Sequence, residues 1–146
     1  MKMSTRGRYG LRVILELALR EGKGPVLMSD IAEAQHISRK YMHSLLSRLK
    51  AAGLVRAVRG MGGGYLMNRA AADITLFEIL ETLEGSLYPI ECTLNPKVCP
   101  RTETCATRDV SFEISHCIEK LLTGISLQDL VDRHNVKNGQ SISYQI

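Results

Sequence analysis

The 146-residue chain has no tryptophan, 2 phenylalanines and 4 prolines. Its core must therefore be built mainly from Leu, Ile, Val, Met and Ala. No apolar run approaches the ~18 residues that a membrane span needs, so no membrane partner is expected. The first 22 residues carry charges throughout and lack the apolar core and small-residue cleavage site of a secretory signal. A cytoplasmic location is expected, and the 4 cysteines read as thiols or metal ligands rather than disulfides. No C-x2-C pair occurs, which argues against a zinc ribbon and against a thiol redox enzyme. Internal repeats and low-complexity tracts are also missing.

What is present fits one compact domain, or a small domain with an oligomerisation element. Hydrophobic residues at 45% and charged residues at 23% are ordinary for a globular protein. The formal charge of +4 conceals an asymmetry, because residues 1–70 hold 13 Lys/Arg against 4 Asp/Glu, while residues 71–146 hold 6 against 11. A basic half of this size points to a polyanion.

Periodicity and breakers divide the chain further. Ser4 or Thr5 caps a first helix that runs to about Glu21, with Val13, Ile14, Leu17 and Ala18 on one face. Ser29 is placed to cap a short helix, SDIAEAQ, and Ser38 a third helix ending at Gly53. That third helix carries Met42, Leu45, Leu46 and Leu49 at i, i+3, i+4 and i+7, with Ile37 stapled against Met42. The runs Leu54–Val58 and Tyr65–Met67 flank Arg59-Gly-Met-Gly-Gly-Gly64 and read as a hairpin with a glycine-rich tip. Thr75 and Glu78 form a capping box, with Ile74 and Ile79 as a second staple, for a helix stopped by Gly85. Residues 86–105 show no helical period and hold three prolines and three cysteines. From about Ala106 to Gly124 the pattern Val110, Ile114, Cys117, Ile118, Leu121 marks a longer amphipathic helix. Ser126 caps a last short helix, SLQDLVDR, and the tail from Asn135 is polar.

Three helices followed by a hairpin is the order of a winged helix-turn-helix, in which the helix after the tight turn enters the major groove. Opposite its leucines, the third helix offers Ser38, Arg39, Lys40, Tyr41, His43, Ser44 and Arg48, groups suited to phosphates and base edges. The glycine tip is not a dinucleotide fingerprint, because a strand follows it where a helix is required. As a wing, it brings Arg59, Gly60, Gly62, Gly63 and Tyr65 to the duplex, with Arg59 placed for a narrow minor groove.

The acidic half holds Cys92, Cys99 and Cys105 with spacing C-x6-C-x5-C. Three thiolates in a polar, proline-containing loop could bind an iron-sulfur cluster, or stand as unbound thiols. Cys117 lies on the apolar helix face and reads as a buried small hydrophobe. The stripe of Ile114, Ile118 and Leu121 is available to a second copy, which would set two reading helices about one DNA turn, ~34 Å, apart.

T-R-G-R-Y-G at 5–10, I-S-x-x-Y at 37–41, L-x-R-L-K-x-A-G-L-V at 46–55, V-R-G-M-G-G-G-Y-L at 58–66 and I-S-L-Q-D-L at 125–130 resemble the iron-sulfur cluster regulator family of bacterial winged-helix repressors, the IscR, NsrR and CymR group. The resemblance implies a mainly α fold with a small β-hairpin: a winged helix-turn-helix over 1–85, a cluster loop over 86–107, a dimerisation helix and terminal short helix over 108–134, and a tail over 135–146. It implies a homodimer on a double-stranded DNA operator, and a cluster on Cys92, Cys99 and Cys105, expected as 2Fe-2S rather than 4Fe-4S. Ser38, Lys40, Tyr41 and Ser44 become groove or phosphate contacts, and Arg59 the minor-groove contact. The sequence departs from the family pattern at several places. The first two cysteines stand one residue further apart than in the namesake regulator, and Arg108 replaces its ligating His. Arg8 and Arg12 stand where other members have a first-helix ligand, which leaves Glu103, Asp109, a thiol cofactor or water for the fourth position. His43 replaces a Glu that accepts from cytosine, so operator preference should differ. The alternative is a clusterless winged-helix regulator that senses a small metabolite or a partner enzyme.

Overall fold

Ser4 accepts a hydrogen bond from the Gly7 N–H and starts the first helix, α1 (Thr5–Leu19), in a computed structural model that describes residues 2–139. The elements that follow are α2 (Met28–Gln35), α3 (Arg39–Ala51), β1 (Val55–Val58), β2 (Gly64–Met67), α4 (Leu76–Glu84), α5 (Ala106–Thr123) and α6 (Leu127–Lys137). The expected winged helix-turn-helix order is present: mainly helix, with, among the described residues, a single antiparallel hairpin pairing Val55 with Met67 and Val58 with Gly64.

One core gathers the apolar faces. Val13, Ile14 and Leu17 of α1, Ile31 of α2, Met42, Leu45, Leu46 and Leu49 of α3, and Ile79 and Leu83 of α4 are all essentially inaccessible. Gly7 and Gly10 lie buried on the same face of α1. A Cβ on Gly10 would stand 2.5 Å from both methyl carbons of Leu83, so glycine is what lets α4 lie tightly against α1. Both staples form, with Ile37, Met42, Ile74 and Ile79 buried.

Several boundaries differ from the sequence reading, each for a local reason. α1 stops at Leu19, and a turn carries the chain through Arg20 to Gly22. Ser29 does not cap α2. The cap position is Leu27, without a side-chain bond, because the preceding residue is pinned to the wing: Val26 and Tyr65 exchange backbone hydrogen bonds of 2.9 and 2.8 Å. α2 ends on His36 in the left-handed conformation at φ 54, a place usually taken by glycine or asparagine. The Thr75 box is half formed: the Thr75 hydroxyl accepts from the Glu78 N–H at 3.2 Å, but the Glu78 carboxylate pairs with Arg69 instead. A complete box appears at α6, where Ser126 and Asp129 cap each other.

α6 runs to Lys137, so residues 135–137 are helical rather than the start of the expected tail; the rest of that tail, beyond 139, lies outside the described residues. Leu127 and Val131 of α6 are buried in the same core. The return is held by Leu76 N–H to Ile125 O at 2.9 Å and Leu127 N–H to Ile74 O at 2.8 Å. α5 contrasts with the rest, since its one buried residue is Ser115. Val110, Ile114 and Leu121 are 58%, 40% and 63% exposed. Cys117 is exposed too, so the expected burial does not occur among the described residues. The same helix face leaves all four uncovered.

Candidate nucleic-acid interface and cysteine loop

The third helix is built to hold polar groups outward. With Met42, Leu45, Leu46 and Leu49 buried, the 3.6-residue period leaves Ser38, Arg39, Lys40, His43, Ser44 and Arg48 exposed on the other side. Ser38 spends its acceptor on the cap, taking the Tyr41 N–H at 3.3 Å, and keeps its O–H as a donor. Tyr41 is half-buried, its ring edge-on to Tyr9 of α1 with centroids 6.2 Å apart.

That contact reveals a group that sequence reasoning did not assemble. The guanidinium groups of Arg8 and Arg12 lie 5.1 and 5.3 Å from the Tyr9 ring centre, within cation–π range. Arg12 also donates to the Gln35 side chain at 2.9 Å and to its backbone carbonyl at 3.0 Å, and Gln35 donates to Glu16 at 2.9 Å. α1 thus braces both helices of the reading unit and continues its basic surface. The signal was the arginine-flanked tyrosine of T-R-G-R-Y-G, with Arg12 one turn on.

In the wing, Arg59, Gly60 and Gly62 are exposed. The glycines differ in function. Gly60 and Gly62 have φ of 92 and 75 with open space around them. Gly63 is buried, and its N–H donates to the Gly60 carbonyl at 3.0 Å. Tyr65 is half-buried with its backbone committed to Val26. Of the five wing residues named from sequence, three therefore face outward, while Gly63 and Tyr65 shape the hairpin.

Residues 86–105 are ordered by short-range bonds rather than by helix. Three one-turn 3₁₀ segments occur, at Glu91–Thr93, Pro96–Val98 and Thr102–Thr104. The Thr102 hydroxyl bonds the carbonyls of Pro96 and Cys99, each at 2.7 Å, and Asn95 accepts from the Lys97 N–H at 3.2 Å. Two longer bonds tie the loop to α5: Tyr88 donates to Glu119 at 3.1 Å, and Arg108 Nε donates to the Cys92 carbonyl at 3.0 Å. The Glu119 carboxylate that accepts this bond holds the Tyr88 hydroxyl above its ordinary pKa.

Cys92, Cys99 and Cys105 are free and half-buried. Cys105 occupies the cap position of α5. The Thr107 hydroxyl, 3.0 Å from its sulfur, and next the Arg108 backbone N–H hold its thiol below the usual range, as expected at a helix N-terminus. Among the described residues no three His, Cys, Asp or Glu side chains converge on one point. The donor set is chemically that of an iron-sulfur cluster, three thiols with one already biased toward thiolate. The loop would have to draw them together.

Residues 3–133 match the family described as Rrf2, iron-dependent transcriptional regulator. The regulator IscR of Xenorhabdus nematophila is 37% identical, over 93% of this chain and 82% of its own length. The solved structure of CymR, the global cysteine regulator of B. subtilis, superposes with a TM-score of 0.78 at 34% identity, covering 91% of this chain and 98% of that one. T. potens IscR gives a TM-score of 0.76 at 35% identity, over 92% and 88%. No described helix is long and apolar enough to cross a membrane.

Proposed function

The chain belongs to the Rrf2 family of transcriptional regulators, and from that premise we propose that it is a homodimeric repressor whose hold on its operator is set by an iron-sulfur cluster on Cys92, Cys99 and Cys105. DNA-binding regulation, not catalysis, is the activity its relatives share. The observation that carries the finer reading is the loop itself. Three half-buried thiols within a 14-residue span sit on a segment tied to α5 through Arg108 and Tyr88.

In this reading α3 enters the major groove, with Arg39, Lys40 and Arg48 toward phosphates and His43 and Ser44 toward base edges, while Ser38 and Tyr41 stand at its N-terminal end. Arg59, with the bare backbone of Gly60 and Gly62, addresses the minor groove. Tyr65 and Gly63 hold that wing in shape. The exposed stripe of α5, Val110, Ile114, Cys117 and Leu121, is covered by a second copy.

Signal and reading head meet at α4, which packs on α1, α3 and α5. Glu84, at its C-terminal end, accepts the Ser4 backbone N–H at 2.8 Å, and Arg6 donates to the neighbouring Leu83 carbonyl. When bound, a cluster supplies a redox-active centre whose potential depends on its hydrogen bonds and exposure. Gathering the three cysteines repositions the loop between α4 and α5, and changes DNA affinity by the difference in its stability between the two arrangements. Arg108, committed to the Cys92 carbonyl, is a strut and not a ligand.

A second reading, a clusterless regulator, is favoured by the separation of the thiols. Titrating a duplex with anaerobic protein before and after oxidative loss of iron separates the two. Different affinities support control by the cluster, and identical affinities contradict it.

A further inference from the structure

The wing carries a residue that its arginine and glycines leave unexplained. Met61 is 105% exposed, as open as a side chain can be, and it is the single side chain between Arg59 and Tyr65. The backbone beneath it is not loose. The Gly63 N–H donates to the Gly60 carbonyl at 3.0 Å, Gly62 has φ 75, and this bond with a positive φ at the third position is the pattern of a type II turn. Met61 occupies its second position, from which a side chain points away from the hairpin.

The base of the turn leaves no room for further side chains. A Cβ on Gly63 would meet the Val58 carbonyl oxygen at 2.3 Å, and one on Gly64 the Val26 carbonyl oxygen at 2.5 Å. The hairpin is held to the body of the head through the Val26–Tyr65 bonds. The protein therefore presents one flexible thioether on a narrow, hydrogen-bonded, otherwise bare backbone, two residues from an exposed arginine. A glycine backbone fits a groove about 6 Å wide in which bulkier turns would not, and methionine is among the apolar residues that wedge between base steps there.

We propose that Met61 is a minor-groove wedge that packs against the sugars and partly unstacks one base step in each half-site, with a pyrimidine–purine step favoured because such steps unstack most easily. This rests on the duplex reading of α3 and the wing. Arg59 supplies charge at the groove and Met61 supplies the shape and step preference that charge alone lacks.

The test uses the full-length protein and a duplex enriched by it from a random-sequence pool, labelled with 2-aminopurine at each step facing the wing. With no tryptophan in the chain, the probe signal is not confused with protein emission. The wild-type protein should raise the fluorescence at one step per half-site. Met61→Ala should abolish that rise and weaken binding about tenfold, on the scale of one lost apolar side-chain contact, while leaving the slope of log K against log salt unchanged. Met61→Leu should restore both. Substitution at the exposed tip leaves the fold intact, and an unchanged thermal midpoint verifies this. If Met61→Ala binds as tightly and unstacks the same step while Arg59→Ala weakens binding, the wedge is overturned and the duplex reading stands. If the wild-type protein enriches no duplex, the duplex reading itself fails and the wedge falls with it.

Discussion

Arg108 reaches across 16 residues to donate its Nε–H to the Cys92 carbonyl at 3.0 Å, joining the first turn of α5 to the start of the cysteine segment. The resemblance places a ligating histidine at this position. A guanidinium has no lone pair to give, and here its Nε–H is already used on the backbone. A cluster here would have to draw any fourth ligand from elsewhere, and the arginine holds the Cys92 backbone to α5.

Arg59 is exposed at the base of the wing tip. Arg59→Ala should weaken binding to a selected duplex by about 1–3 kcal/mol, with relaxed preference beneath the wing. Fluorescence anisotropy at physiological salt measures it, and an unchanged affinity removes the arginine from the interface.

Gly63 is the wing glycine whose added Cβ would come closest to the backbone. Gly63→Ala drives its Cβ into the Val58 carbonyl at 2.3 Å, and only backbone movement relieves it. The wing lies outside the main core, so duplex affinity should fall about tenfold or more, while the thermal midpoint moves by only a few degrees, about what 1 kcal/mol produces in a domain of this size.

Ile114 lies midway along the uncovered face of α5 and is 40% exposed. If a second copy covers that face, Ile114→Glu places a carboxylate in an apolar interface and should weaken the dimer at least about a hundredfold. Sedimentation velocity should show a dimer for the wild type and a monomer for the variant. Two identical profiles contradict the placement of the interface.

Asp129 accepts from the Ser126 backbone and hydroxyl, which hold its carboxyl below the ordinary value. A carboxylate with a depressed pKa stabilises the fold at pH above its unfolded value, ~3.9, and loses that contribution as the pH falls through the folded value. Asp129→Asn should therefore lower the thermal midpoint at neutral pH and converge on the wild type in acid. Thermal scans from pH 7 downward read the difference, and a gap that widens in acid has the wrong sign.

The order of elements was legible because α1, α3, α4 and α6 each carry a start signal and an apolar stripe, as Ser38 with Met42, Leu45, Leu46 and Leu49 illustrates. The exposed polar face of α3 followed from the same periodicity. What was not legible depends on contacts between distant segments. Ser29 lost the cap of α2 to a bridge between Val26 and Tyr65, 39 residues apart in sequence. Glu78 left its capping box for Arg69. Cys117 looks buried by its helix position, but it is exposed among the described residues. The Tyr9–Tyr41 brace joins residues 32 apart, and no local pattern announces such a pair.

The most direct test of the account is the visible absorption spectrum of anaerobically purified protein, taken with iron and acid-labile sulfide analysis, for the wild type and for Cys92→Ser, Cys99→Ser and Cys105→Ser. The account predicts a coloured wild-type protein containing both iron and sulfide, and loss of colour in each variant. A colourless wild-type protein that stays free of iron and sulfide after reconstitution would contradict it.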